Sequence, residues 1–310
     1  MIPPKSLVTE DSLPSYSKGA LIYNPYAGGL RKNPGKIELI SSALETLGMD
    51  LQLIPTRAPG DGTTQARNLI QSNCQVILAC GGDGTINEII GGMAGSSVPL
   101  MVIPAGTANV LANEIGMPRD PEKCAQLLRT GVSRRISLGK AGARYFALMA
   151  GVGVDAGVVA AVDPGVKDKL GQGAFWLAGF QQLGRYHFLP FEIRVDGHPY
   201  SCTFALLSKT QRYASRFRIT PEASLFSDAF EICLFQSTNR WRYLIYLLFV
   251  MLRKHGHLSD VTRIQGKEIE AVGPGQITVQ VDGELIGTLP QQFHIQSDAL
   301  TLIMPRNSAR

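Results

Sequence analysis

The sequence predicts an α/β domain followed by a β-rich, β-sandwich-like domain, and three observations carry that reading. A β-α-β-α rhythm with glycines at the strand ends fills the chain from about residue 18 to 134. Short strand candidates separated by Asp-Gly turns then take over. The 310 residues, 45% hydrophobic and 18% charged, suffice for one large core or two ordinary ones.

The elements follow in order. Residues 1–17 carry Pro3, Pro4, Pro14 and Glu10-Asp11 and lack the apolar centre of a signal peptide, so they read as a disordered leader. Ala20-Leu21-Ile22-Tyr23 is a short strand stopped by Asn24-Pro25, with Gly28-Gly29 in the next loop. Ile37, Ile40, Leu44 and Leu47 recur at helical spacing, and Gly48 suits a C-terminal cap. Leu51 to Pro55 returns as a strand and Thr64 to Gln71 as a helix. Gln75 to Cys80 is almost continuously apolar, the pattern of a parallel strand covered on both faces. A helix over Ile86 to Met93 and a strand over Pro99 to Ile103 complete the first unit.

Past Gly131 the strand candidates are Arg134–Leu138, Tyr145–Met149, Phe191–Val195, Tyr200–Ser208, Phe230–Phe235 and Ile277–Val281. The longest apolar run, Tyr243 to Leu252, is half of the roughly 20 residues that a bilayer crossing needs. It reads as a buried helix, with contact at a membrane interface as the alternative. Lys209, Arg212, Arg216 and Arg218 form a basic cluster, read as solvated surface. A net charge of +5 suits an anionic partner without choosing one. The five cysteines are odd in number and contain no Cys-x-x-Cys, which points to reduced thiols in a reducing compartment.

The densest motif is Gly81-Gly82-Asp83-Gly84-Thr85-Ile86-Asn87-Glu88, set between a buried strand and a helix. Glycines let backbone N–H groups approach phosphate oxygens, and a helix N-terminus adds partial positive charge. Asp83 can hold a magnesium ion that bridges phosphates. A plain turn would use the glycines but would not require the residues that follow. The standard Gly-x-x-x-x-Gly-Lys-Ser/Thr loop is absent. Pro104-Ala105-Gly106-Thr107-Ala108-Asn109 ends the next strand, on the rim where parallel sheets bind ligands.

These two clusters resemble the diacylglycerol kinase catalytic domain, within the diacylglycerol/sphingosine lipid kinase family. Asn24-Pro25 with Gly28-Gly29, Gly151 to Ala156, Pro221-Glu222-Ala223 and Asp282-Gly283-Glu284 are similar in the same order. The likeness runs from about Lys18 to Pro305 and is nearest to soluble bacterial members. It implies the two-domain fold shared by NAD kinases and diacylglycerol kinases. An ATP-binding domain of residues 18–134, rejoined by about 300–306, would face a lipid-substrate domain of residues 135–299. By resemblance, Asn24, Thr56, Gly81, Gly82, Asp83, Gly84, Thr85, Asn87, Gly106 and Thr107 line the ATP site. A metal site would use Asp228 with the backbone oxygens of Leu225 and Phe230, although Ala229 stands where the family has glycine. Tyr213-Ala214-Ser215 departs from a Tyr-Gly-Gly-like stretch.

The implied chemistry is transfer of the γ-phosphate of ATP, with Mg2+, to a lipid hydroxyl. Glu284 or Asp282 would accept the proton, and an ordinary Asp-Gly hairpin is the plainer alternative for that turn. Asp155 is expected to structure the cleft or cap a loop. A cytoplasmic home, peripheral contact with the anionic inner face of the membrane, and no nucleic-acid partner are expected. NAD kinase and a non-catalytic nucleotide- or lipid-binding protein are the competing readings.

Overall fold

The structure, a computed structural model, describes residues 16–154, 188–213 and 217–308. The expected leader falls largely outside these residues, as do Asp155, Ala156, Ala214, Ser215 and Arg216.

Strands β1 (Lys18–Tyr23), β2 (Asp50–Pro55), β3 (Val76–Gly81) and β4 (Pro99–Pro104) pair in parallel in the order β2-β1-β3-β4. All six residues of β3 are buried, as the apolar run requires of a strand covered on both faces. Helices α1 (Gly28–Lys32), α2 (Lys36–Thr46), α3 (Asp61–Gln71) and α4 (Asp83–Met93) lie between the strands. Helix α4 starts three residues before the Ile86 that periodicity suggested. Gly82 is its extended cap (φ −85°, ψ 176°), so Asp83 is already helical.

Helices α5 (Val110–Glu114) and α6 (Pro121–Thr130) follow. Neither was expected, yet α6 carries a local signal. Asp120 accepts a hydrogen bond from the amide of Lys123, and Pro121 occupies the first helical position.

The remaining strands are β5 (Val132–Ala141), β6 (Arg144–Phe146), β7 (Met149–Gly153), β8 (Phe191–Val195), β9 (His198–Cys202), β10 (Phe204–Ser208) and β11 (Phe230–Phe235). After helix α7 (Arg240–Met251) come β12 (Val261–Gly266), β13 (Glu268–Val272), β14 (Thr278–Val281), β15 (Glu284–Thr288) and β16 (Gln291–Met304). A six-stranded antiparallel sheet runs β12-β11-β10-β7-β14-β15. Its inner face packs on strands of the other sheet, with Phe146 stacked on Phe230 at 5.7 Å in the shared core.

The expected domain limits at 134/135 and 299/300 fall inside β5 and β16. These two strands pair antiparallel along most of their length, and Thr301–Ile303 of β16 also pair in parallel with Pro99–Met101 of β4. The first sheet therefore continues through both halves as ten strands.

Two single-strand expectations are corrected. Tyr145–Met149 breaks between β6 and β7, where the amides of Ala147 and Leu148 bond the Asp282 carboxylate instead of a strand. Tyr200–Ser208 breaks at Thr203, whose hydroxyl turns to the Ser237 carbonyl (2.8 Å) and Tyr243 (2.7 Å). Helix α7 is buried on one face only. Tyr243, Tyr246 and Val250 pack inward, while Trp241, Leu248 and Met251 stay more than half exposed. No helix among the described residues is long and apolar enough to cross a membrane. The five cysteines are free thiols, four of them buried.

Candidate active site

The glycine-rich motif becomes a cradle because β3 ends at Gly81 and α4 begins at Asp83. The amides of the first helical turn have no intrahelical acceptors, so they are available to an anion. The cradle tolerates no side chains where it touches its surroundings. A Cβ on Gly81 would lie 2.8 Å from the Thr85 Cβ, and one on Gly106 would lie 2.5 Å from the Gly82 Cα. The two glycine clusters thus pack backbone to backbone.

Their neighbours complete the rim. Asn24 donates from Nδ2 to Thr85 Oγ1 at 3.2 Å and from its amide to the Cys80 carbonyl at 3.0 Å. Asn109, at a left-handed φ of 47°, accepts from the Gly106 amide (2.7 Å) and donates to the Gly106 carbonyl (2.8 Å). Gly28 lies beside Thr107, whose Oγ1 would be 3.5 Å from a Cβ there. Thr56, buried at the end of β2, donates its amide to the Tyr23 carbonyl at 2.8 Å. Asn24, Thr56, Gly81 to Thr85, Gly106 and Thr107 therefore gather along the C-terminal rim of β2-β1-β3-β4. Asn87 lies one turn into α4, buried, with no protein partner for its Oδ1.

The three acids differ sharply. Asp83 accepts from the Val110 amide at 2.7 Å, taking the place of the α5 cap because the Asn109 side chain is turned to Gly106. Burial raises its pKa and the surrounding amides oppose that rise. Asp282, half-buried at φ 49°, accepts from the amides of Ala147 (2.8 Å), Leu148 (2.9 Å) and Met149 (2.9 Å). Burial pushes its pKa up to about 6, the three amides pull it down, and the charge of Asp83 adds to the rise. Glu284 is about 41% exposed and pairs with Arg144. Its Oε1 would be 3.2 Å from a Cβ on Gly84, so it lies directly against the phosphate loop.

The turn and the loop, more than 190 residues apart in sequence, thus meet at Gly84 and Glu284. Asp282 has both oxygens committed to backbone amides, and Glu284 alone of the pair keeps a carboxylate open to the cleft. Arg144 is the site residue that sequence reasoning missed; its one signal is an isolated cation in a short polar turn, Gly142-Ala143-Arg144.

Magnesium was expected at two places, and the residues fit it at one. Among the described residues no group of three or more His, Cys, Asp or Glu side chains is arranged for a metal. Asp83 at the phosphate loop nonetheless offers a carboxylate whose charge adds slightly to the raised pKa of Asp282, and a cation carried by a nucleotide would offset that charge. The Asp228 loop does not fit. Ser137 donates its hydroxyl to Asp228 Oδ1 (2.7 Å) and its amide to the Leu225 carbonyl (3.0 Å). The fully buried Lys209 ammonium donates to the Ser227 carbonyl and reaches the Ala229 carbonyl at 3.4 Å. Its pKa is lowered to about 8 by burial and held up by Asp228. Ala229 is not among the residues at positive φ, so the loop has no need of the glycine it lacks. Of the groups expected to hold a metal with Phe230, the Asp228 carboxylate and the Leu225 carbonyl thus already have protein partners.

Lys209 is also not the solvated surface residue that its neighbours suggested. It follows the wholly buried β10, and the chain carries it inward. Arg212 is half exposed and faces Glu114 at 3.6 Å, and Arg218 is exposed, so the basic cluster divides.

Residues 18–141 match the diacylglycerol kinase catalytic domain, and residues 149–304 match the YegS C-terminal NAD kinase beta sandwich-like domain. A diacylglycerol kinase of Bacillus subtilis (strain 168) is 27% identical over 299 residues, covering 94% of this chain and 98% of the relative. A diacylglycerol kinase of Staphylococcus saprophyticus is 28% identical over 285 residues, covering 89% of this chain and 92% of the relative. The crystal structure of a diacylglycerol kinase from Bacillus anthracis superposes with a TM-score of 0.74 at 23% identity, covering 94% and 98% of the two chains.

Proposed function

The chain belongs to the diacylglycerol kinase family, with a catalytic domain followed by the YegS-type sandwich, and on that premise we propose that its acceptor is a lipid hydroxyl held where Glu284 meets the phosphate loop. It is a phosphotransferase with an alcohol group as acceptor, a lipid kinase that uses ATP. The acceptor is a diacylglycerol-like or sphingosine-like lipid. The single observation supporting the cleft is the approach of Glu284, from the second sheet, to Gly84 at the start of α4.

Phosphoryl transfer passes through a loose transition state, so positioning and charge neutralisation dominate. The amides that open α4 hold the phosphates, and the Asn24–Thr85 bond fixes the loop's first turn. Magnesium, when bound with the nucleotide, would supply counter-charge, with Asp83 the residue to hold it. Glu284 accepts the hydroxyl proton, and Arg144 orients its carboxylate. Asp282 positions the turn by clamping the β6–β7 connection. Peripheral contact with an anionic membrane fits the exposed face of α7 beside Arg253 and Lys254.

The test is to present extracted membrane lipids and labelled ATP to the wild-type protein and to Glu284→Gln. Label should enter an organic-soluble lipid phosphate with the wild-type protein and fall by at least about a hundredfold with the variant. Transfer to NAD with none to lipid overturns the proposal.

A further inference from the structure

We infer that the Lys209 ammonium is a covalently tethered replacement for the divalent cation of the Asp228 loop, which therefore takes up no metal. The loop presents one carboxylate and several backbone carbonyls, the donor set that a hard cation selects. A cation already serves two of those carbonyls. Lys209 is fully buried, its Nζ donates to the carbonyl of Ser227 and reaches that of Ala229, and Asp228 is its charge partner.

An ammonium offers three donors and one positive charge, enough to satisfy carbonyls and neutralise a single carboxylate. A divalent ion would have to displace a buried lysine that then lacked any partner. Two other groups are also spent. The Leu225 carbonyl accepts from the Ser137 amide, and Asp228 Oδ1 accepts from the Ser137 hydroxyl. The tether also links this loop to the acidic turn. The Lys209 amide donates to the Leu148 carbonyl at 2.8 Å, and the Leu148 amide donates to Asp282.

Mn2+ is the probe, titrated into metal-depleted full-length protein without nucleotide, with the free ion read by electron paramagnetic resonance. Wild-type protein and Asp228→Asn should show the same Mn2+ uptake, because Asp228 ligates no metal. Lys209→Ala empties the space and should gain one Mn2+ site. Its melting temperature should rise by about 4 °C at a hundredfold excess of ion over the dissociation constant. Lys209→Met fills the space with an apolar chain and should gain none. Wild-type uptake that Asp228→Asn abolishes would overturn the inference, and so would a folded Lys209→Ala that takes up no Mn2+. If Lys209→Ala does not fold, the wild-type and Asp228→Asn pair decides alone.

Discussion

The phosphate loop and the acidic turn that faces it are built by opposite means. Gly81 to Thr85 is a surface of backbone: its glycines remove Cβ atoms, the first-turn amides of α4 are left without intrahelical acceptors, and one oxygen of its single carboxylate accepts from the Val110 amide. Asp282 to Glu284 is a surface of side chains, and its backbone serves only to aim them. One carboxylate is held by three amides, and the other is left half exposed with Arg144. Holding a phosphate needs fixed donors, which backbone supplies without conformational cost. Moving a proton needs a group that can change charge, which only a side chain can be.

The contrast can be broken most directly by separating the two acids. Glu284→Gln should lower kcat by about 10²–10⁴-fold, with ATP affinity by calorimetry and the melting temperature nearly unchanged. A wild-type kcat in this variant would remove the turn from the chemistry. Asp282→Asn should act chiefly on stability, by up to about 3 kcal/mol, since an amide NH2 would oppose backbone donors that a carboxylate accepts. Denaturant titration checks this. A fully stable Asp282→Asn protein with a kcat loss as deep as that of Glu284→Gln would reverse the two roles.

Gly106→Ala sharpens the other side of the comparison. Its Cβ would press on the Gly82 Cα, and the loop must give way. ATP should bind about tenfold more weakly, roughly 1.4 kcal/mol, while the lipid dependence of the rate is retained. The smallest effect is expected at Asp260, where side-chain wiring again sets the structure. Arg242 bonds it through two nitrogens (2.8 and 2.9 Å), and this pairing lowers its pKa to about 2. A carboxylate lowered in the fold stabilises above its unfolded value near 4, and that stabilisation fades as pH falls toward 2. Asp260→Asn should therefore lower the melting temperature at pH 7 and leave it almost unchanged near pH 2.

The sequence announced the backbone-built half far better than the side-chain-built half. Apolar runs such as Gln75 to Cys80 and glycines at strand ends are local signals, so the alternation of elements and the rim could be read from period and punctuation, whereas the spatial order of the strands could not. The Gly84–Glu284 approach depends on how two sheets pack, and no local pattern encodes that. Lys209 was misread for a related reason. Its neighbours Arg212 and Arg218 are surface residues, and only the register of β10 against β7 and β11 turns Lys209 inward. The short α5 escaped notice because Asp83, 27 residues upstream, caps it. Strands β12, β15 and β16 were missed because their faces are partly exposed and their apolar alternation is weak, whereas β13 does alternate, Glu268-Ile269-Glu270-Ala271, over only a few residues.

The fourteen-residue β16 has a mechanical consequence. It runs as a crossbeam from β4, in the nucleotide half, to β13, in the sandwich half, and β5 braces it along the way. Pairing on both sides stiffens such a beam, and its continuity breaks at the register shift between Gln296 and Leu300, where Asp298 adopts φ 47°. Flexing between the nucleotide half and the sandwich half would be concentrated at those few residues.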